Sequence, residues 1–385
     1  MAGLPLLEDL PPLEGVRVLL RADFNVPLGP PDATGVATVQ DDFRIRSTIP
    51  TIEWLLGHGA KVTACTHLGR PKGKPDPKYS VEPVRRVLAK MAPEVELMEN
   101  LRFDPGETDN DPAFTDRLVS GFDAYVNDAF GATHREHASV VGPPTRLPSA
   151  AGRLLEREIQ VLGELRRDPA HPFVALVGGA KLSDKLGVLE SLLERVDLLV
   201  VGGAMAFNFL RILGHKTGSS LCDISRMEEC KTLLKKAGDR LVLPVDVVAM
   251  GPDGELASGA EGTGETQVMG VDMPMGWTGL DIGPKTRELF ASALQGAKTV
   301  LWNGPMGAFE DKRFAAGTKA VAEAVASSTA MTVVGGGDSV AALEELGLTD
   351  KVGFVSSGGG ATLEYIEHGD LPGLCALRSA SNAPH

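Results

Sequence analysis

The chain has 385 residues, 43% of them hydrophobic and 23% charged, with a formal net charge of −13. That length fits two domains better than one, ordinary apolar and charged usage excludes a disordered, collagen-like or coiled-coil protein, and the negative charge argues against nucleic acid or a membrane surface as partner. Cys65, Cys222, Cys230 and Cys375 show no CxxC pair and no zinc-type spacing, which excludes a disulfide framework or structural zinc. The first 15 residues carry Glu8 and Asp9 but no basic segment, and the longest apolar stretch, 196–210, is broken by Asp197, two glycines and Asn208. Neither a secretory signal nor a membrane span is expected, and a cytoplasmic location is.

In chain order, the first half offers candidate strands at 16–21, 61–66, 95–98 and 123–126. Val16, Val18, Leu20, Ala22, Phe24 and Val26 are all apolar, so Arg21, Asp23 and Asn25 share the opposite face. Arg44, His67, Arg70, Arg102, His134 and Arg135 lie at or just beyond strands or at a helix start. Such a basic cluster in an acidic chain fits a small anionic substrate, the alternative being arginines scattered among surface carboxylates. Ser149 is read as the cap of a helix whose Ala151, Leu154, Leu155, Ile159, Leu162 and Leu165 form a stripe, stopped by Asp168-Pro-Ala-His-Pro. The boundary is placed there, giving domains 1–170 and 171–367, with 368–385 a tail that could pack on the first.

In the second half, apolar runs ending in glycine occur at Phe173-Val-Ala-Leu-Val-Gly-Gly, Leu198-Leu-Val-Val-Gly-Gly, Thr299-Val-Leu-Trp-Asn-Gly-Pro and Met331-Thr-Val-Val-Gly-Gly-Gly, with a fifth at 352–360. Continuous apolar runs alternating with helical stretches predict parallel strands covered on both faces. Residues 257–270, rich in glycine and polar side chains, read as a surface loop. Ligands of such sheets bind at the carboxyl ends of the strands. Gly178, Gly179, Gly202, Gly203, Gly335 to Gly337 and Gly358 to Gly360 therefore mark a phosphate-bearing ligand. Neither GxxxxGK[ST] nor GxGxxG is present, which speaks against a P-loop kinase and a dinucleotide-dependent dehydrogenase. Lys181 and Lys185 are expected one turn apart at the start of a helix, where their mutual repulsion and the dipole are offset by a bound polyphosphate. Asp338 reads as a helix cap, a Mg2+ ligand or both, and Glu310 could accept from a ribose hydroxyl.

Arg21-Ala-Asp-Phe-Asn-Val-Pro, Thr66-His-Leu-Gly-Arg-Pro, Glu99-Asn-Leu-Arg-Phe, Asn127-Asp-Ala-Phe-Gly-Ala-Thr-His-Arg, Gly178-Gly-Ala-Lys-Leu-Ser-Asp-Lys, Gly335-Gly-Gly-Asp-Ser and Ser357-Gly-Gly-Gly resemble, in order and across nearly the whole chain, the phosphoglycerate kinases. The resemblance implies an α/β protein of two Rossmann-like doubly wound parallel-sheet domains joined by a helix, with closure between them. It implies 3-phosphoglycerate on Asp23, Asn25, Arg44, His67, Leu68, Gly69, Arg70, Arg102 and Arg135 of the N-terminal domain. On the C-terminal domain it implies ATP or ADP with Mg2+ on Lys185, Gly202, Gly203, Asn303, Pro305, Gly307, Glu310, Gly335, Gly336, Gly337, Asp338 and Ser339, Asp338 being the metal ligand. Arg44, Lys181 and Lys185 are the implied catalytic residues, and the backbone of Gly337, Gly358, Gly359 and Gly360 the implied support for the phosphoryl group. A monomer exchanging 3-phosphoglycerate and 1,3-bisphosphoglycerate is expected, with no nucleic acid or membrane partner. The chain departs from the family where Ala204 replaces a glycine, Ser339 a threonine, and Ser356-Ser-Gly-Gly-Gly a Ser-Thr-Gly-Gly-Gly; of these only Ala204 could crowd an adenine pocket.

Overall fold

The computed structural model describes residues 3–380. They fall into two compact units: the chain through Gly163 together with that from His368, and Glu164–Glu367.

In the first unit, β1 (Arg17–Arg21) is followed by the hairpin β2 (Leu28–Pro31) and β3 (Ala37–Val39), then by β4 (Lys61–Cys65), β5 (Glu96–Leu97), β6 (Ala124–Asn127) and β7 (Ser149–Ala151). The main sheet is wholly parallel in the order β5-β4-β1-β6-β7. Its central strands are buried on both faces, which is why they read as unbroken apolar runs. Val18, Leu20, Val62, Ala64 and Val126 pack against Ile45, Ile52 and Leu55 of the helix Phe43–Gly57 and Val84 and Leu88 of the helix Glu82–Met91. The helix Pro372–Ala380 packs on this unit, with the Gly373 N–H donating to the Thr133 carbonyl at 2.9 Å.

The start of the long helix differs from the sequence expectation. Ser149 does not cap it: Ser149–Ala151 pairs with β6 as the edge strand, and the helix spans Arg153–Arg167. Its first amides are taken from outside the helix, by Asp128 Oδ1, which accepts from Leu154 N–H at 2.9 Å and Leu155 N–H at 3.1 Å. A cap brought from 26 residues away leaves no local sequence signal.

In the second unit, β8 (Phe173–Val177), β9 (Leu198–Val201), β10 (Leu241–Val242), β14 (Thr299–Asn303), β15 (Met331–Gly335) and β16 (Phe354–Val355) form a parallel sheet ordered β10-β9-β8-β14-β15-β16. A second, antiparallel sheet in the order β12-β11-β13 comprises β11 (Asp246–Met250), β12 (Thr266–Gly270) and β13 (Thr278–Ile282). The expected surface loop at 257–270 therefore ends in a strand. β12 is an exposed edge strand in which Thr266 and Gln267 are followed by Val268 and Met269, so it shows no polar-apolar alternation to read. Among the described residues, no helix is long and apolar enough to cross a membrane.

Candidate active site

Pairing register sets the first unit's site. Arg21 lies level with Cys65 on one side and Asn127 on the other, so the segments following β1, β4 and β6 emerge together at the carboxyl edge. There Asp23, only 4% exposed, accepts from Arg44 Nη1 at 2.9 Å. Asn25 Oδ1 accepts from the Gly69 N–H at 2.8 Å, and Arg102 Nη1 donates to the Gly69 carbonyl at 2.8 Å. Leu68 is held by Asn100, whose Oδ1 accepts its N–H at 3.2 Å. The structure thus brings Asp23, Asn25, Arg44, His67, Leu68, Gly69 and Arg102 together, with Arg70 exposed next to Gly69 and Arg135 exposed but within electrostatic reach of Arg102.

Charge at this edge is crowded and positive. Burial alone would raise the Asp23 carboxyl, but the Arg44 and Arg21 guanidiniums outweigh it and hold it below its usual range. Burial, reinforced by Arg21, Arg102 and Arg44, pushes His67 well below an ordinary histidine despite the opposing Asp23 charge. Arg102 is pushed down to about 10, first by burial and then by Arg21 and Arg135. His134 falls to about 4 by burial and the Arg135 charge. Buried Arg102 Nε and His134 Nδ1 have no hydrogen-bond partner. An anion would satisfy the free arginine donor and relieve the repulsion together.

In the second unit, Val177, Asn303 and Gly335 end β8, β14 and β15 at one level. The glycines beyond them do two different jobs. A Cβ on Gly178 would collide with the Pro305 carbonyl, one on Gly304 with the Gly178 carbonyl, and one on Gly203 would stand 2.6 Å from the Gly179 amide nitrogen. These three let strand ends touch. Gly202 is buried against the Met306 thioether, and Gly335 is buried as the last residue of β15. A Cβ at Gly337 or Gly359, in contrast, would meet nothing within 4 Å, so open space lies beside both.

That space is two cavities. One, of about 300 Å³, is lined largely by apolar groups, among them Ala204, Phe207, Val247, Leu280, Pro305, Met306 and Gly307, with Glu310 and Asp338 at its polar side. Ala204, the position where the resemblance expects glycine, is thus part of its wall. The other, of about 410 Å³, is lined by Lys181, Lys185, Asn303, Gly304, Gly336, Gly337, Asp338, Gly359 and Gly360. Gly179, Ala180, Pro305 and Asp338 line both.

Lys181 and Lys185 are not on a helix, contrary to expectation. The helix is Leu186–Leu193, Lys185 occupies its cap position, and Lys181 lies in the preceding loop, so neither the like-charge penalty nor the helix spacing applies. Lys185 Nζ donates to the Gly178 carbonyl at 2.6 Å and to Asn303 Oδ1 at 3.0 Å. Burial lowers it to about 8, against the pull of Asp338 and Asp184. Lys181 is exposed.

Asp338 is not the cap of its helix either. Gly336, at φ +93°, fills that position, and Asp338 stands exposed in the first turn of Gly337–Glu345. Although its tip is open to solvent, the cavity wall around it partly desolvates its carboxyl and, with the Glu310 charge, raises it, Lys185 opposing. No group of three or more His, Cys, Asp or Glu that could hold a metal occurs among the described residues. An exposed carboxylate facing a second one nevertheless fits magnesium, which takes one or two carboxylates and leaves its other positions to phosphates and water. Ser339 is buried, and its hydroxyl accepts from the Gly304 N–H at 2.7 Å, so it holds the glycine turn and lines neither cavity. Gly358 also lines neither, its N–H donating to Ser356 Oγ at 3.3 Å.

Sequence reasoning missed Asp281, a buried residue of β13 in the wall of the apolar cavity, which accepts from Gly317 N–H at 2.7 Å and Ile282 N–H at 2.9 Å. It also missed Glu107 and Ser139, buried behind the arginine cluster. None carries a motif, because Glu107 and Ser139 bond each other across 32 residues and Asp281 reaches Gly317 across 36.

A family model described as phosphoglycerate kinase matches residues 7–96 and 85–369. A curated phosphoglycerate kinase from Rubrobacter xylanophilus is 50% identical, over 95% of this chain and 96% of its own length. One from Thermus thermophilus is 49% identical, over 96% and 99%. Among solved structures, the phosphoglycerate kinase of Coxiella burnetii superposes with a TM-score of 0.82 at 35% identity, covering 98% of this chain and 99% of that one. That of Pyrococcus horikoshii gives 0.84 at 29% identity over the same shares. The chain belongs to the phosphoglycerate kinase family.

Proposed function

We infer that this chain transfers a phosphoryl group reversibly between ATP and the carboxylate of 3-phosphoglycerate, giving ADP and 1,3-bisphosphoglycerate. The observation that carries this reading is the pairing of two chemically different strand-edge sites in one chain. One is a crowded guanidinium cluster with a buried donor left free on Arg102. The other is an apolar cavity adjoining one lined by lysines and glycine amides. The first suits a small polyanion and the second a nucleotide, base in the apolar part and phosphates against the amides.

The acceptor carboxylate, with a reference pKa of roughly 3.5 to 4, is already ionised at pH 7, so no general base is needed. The site must orient it and stabilise charge on the equatorial oxygens of a loose transition state. Asn25, His67, Arg70, Arg102 and Arg135 hold the phosphoglycerate, while Arg44, fixed by Asp23, serves the transferring group. Lys185, tied to Asn303, holds nucleotide phosphates, Lys181 reaches the moving phosphoryl group, and the amides of Gly337, Gly359 and Gly360 receive its charge. Glu310 accepts from the ribose. Asp338 would hold Mg2+, which when bound supplies positive charge to the β- and γ-phosphate oxygens. We place the enzyme in the cytoplasm as a monomer.

Calorimetric titration tests the division of labour. Arg102→Met should abolish 3-phosphoglycerate binding and leave Mg-ADP affinity unchanged; Lys185→Ala should do the reverse. Loss of both ligands from both folded variants would sink the two-site reading.

A further inference from the structure

Behind the arginine cluster, four side chains of the first unit form a line of hydrogen bonds of which only the last, His67, belongs to the acceptor site. Glu107, in the short helix Pro105–Thr108, is fully buried, and both its oxygens accept from Ser139: Oε2 from the backbone N–H at 2.9 Å and Oε1 from the hydroxyl at 2.7 Å. The same hydroxyl accepts from Arg21 Nε at 2.9 Å. Arg21, fully buried at the end of β1, donates Nη1 to the Ala22 carbonyl and places Nη2 3.1 Å from Nδ1 of His67.

The direction of each bond follows from chemistry. A carboxylate only accepts, so the Ser139 hydroxyl hydrogen points to Glu107 and its lone pairs are left for Arg21. A guanidinium only donates, so Nδ1 of His67 must present a lone pair. The single proton of a neutral imidazole then has one place left, Nε2. The line is rigid at its far end, because Tyr125 Oη donates to the Ser139 carbonyl at 2.7 Å. It is also charge-balanced, since a buried guanidinium without a counter-charge would be costly and Glu107 supplies one.

We propose that Glu107 and Ser139, acting through Arg21, are positioning residues that hold the His67 imidazole with its proton on Nε2, so that His67 meets the acceptor only as a hydrogen-bond donor. The proposal rests on reading the first unit's cluster as the site of the anionic acceptor. A donor at that point favours an acceptor, a carboxylate or phosphate oxygen above all, and disfavours an ammonium or any other group that can only donate, which would find no acceptor on the ring.

Nitrogen NMR of the full-length protein labelled with 15N-histidine reads the tautomer directly, the His67 signals being identified by their loss in His67→Gln. The expected spectrum shows His67 protonated at Nε2 and bare at Nδ1. A proton on Nδ1, or an even mixture, in the wild type overturns the proposal. Glu107→Gln puts an amide donor against Ser139 and removes the counter-charge of Arg21. It should convert His67 to a tautomer mixture and raise KM for 3-phosphoglycerate about tenfold, a larger factor than the fall in kcat, as expected when one well-aligned hydrogen bond is lost. Ser139→Ala cuts the line while keeping the backbone contact to Glu107, and should give the same signature even if Glu107→Gln fails to fold. Wild-type tautomer and KM in a folded variant would overturn it. The spectrum needs no turnover, so failure of the acceptor reading, seen as no ADP formation with 3-phosphoglycerate, is distinguishable from failure of the positioning line.

Discussion

At the scale of single residues, position and hydrogen bonding separate groups that look alike in sequence. Arg44 is tethered to buried Asp23, and its guanidinium is assigned to the group in transfer. Arg44→Ala should cut kcat by roughly 10³-fold, the scale of arginines that act on a phosphoryl group in the transition state, while Mg-ADP affinity stays near normal. Steady-state kinetics decide it, because a near-normal kcat with only a raised KM would make Arg44 a binding residue. Lys185 gives a pH signature. Its free-state value of about 8 means that phosphate must recapture a proton on the lysine above that pH. ADP affinity should therefore weaken by about fivefold between pH 8 and 9, and Lys185→Ala should bind more weakly with no such step. Calorimetry across that range would show a flat wild-type profile if the lysine does not meet the phosphates. The basic types and their strand-end positions were legible in sequence. Their tethers were not, since Asp23 to Arg44 and Lys185 to Asn303 join residues 21 and 118 apart.

At the scale of elements, the glycine turns were read as phosphate cradles, and the structure divides them. Gly203→Ala would force a Cβ into the Gly179 backbone at a φ of +66° and should cost about 2 kcal/mol or more of stability. Gly337→Ala meets no protein atom and should leave stability within about 0.5 kcal/mol while lowering nucleotide affinity, if phosphate approaches that amide. Denaturant melts beside ADP titrations would expose the error if Gly337→Ala bound normally. The Arg153–Arg167 helix shows a second limit of local reading. Its stripe was legible, but its cap is Asp128, and burial pushes that carboxyl up to about 7. Between about pH 4 and pH 7 the folded state holds a proton that the unfolded chain has released, so this group makes stability fall as pH rises through that window. Asp128→Asn keeps an acceptor for the Leu154 and Leu155 amides and cannot ionise. The difference in unfolding free energy between wild type and variant should shift in the variant's favour across the window, by up to about 4 kcal/mol. A pH-independent difference would mean that Asp128 stays ionised.

At the scale of the whole molecule, the parallel sheets announced themselves because strands buried on both faces are continuous apolar runs bounded by glycine. The antiparallel sheet did not. β13 is interrupted by Gly279 and Asp281, and β12 mixes polar and apolar residues without alternation, so neither reads as a buried apolar run. Yet β13 walls the apolar cavity, so the shape of that cavity was less legible than the glycine turns beside it. If one chain uses both sites on one phosphoryl group, turnover must couple them. Mg-ATP and the purified protein should release ADP only when 3-phosphoglycerate is present, and hydroxylamine should trap an equal amount of acyl phosphate as the hydroxamate. ADP release that ignores 3-phosphoglycerate, or that yields no trapped acyl phosphate, would contradict the account.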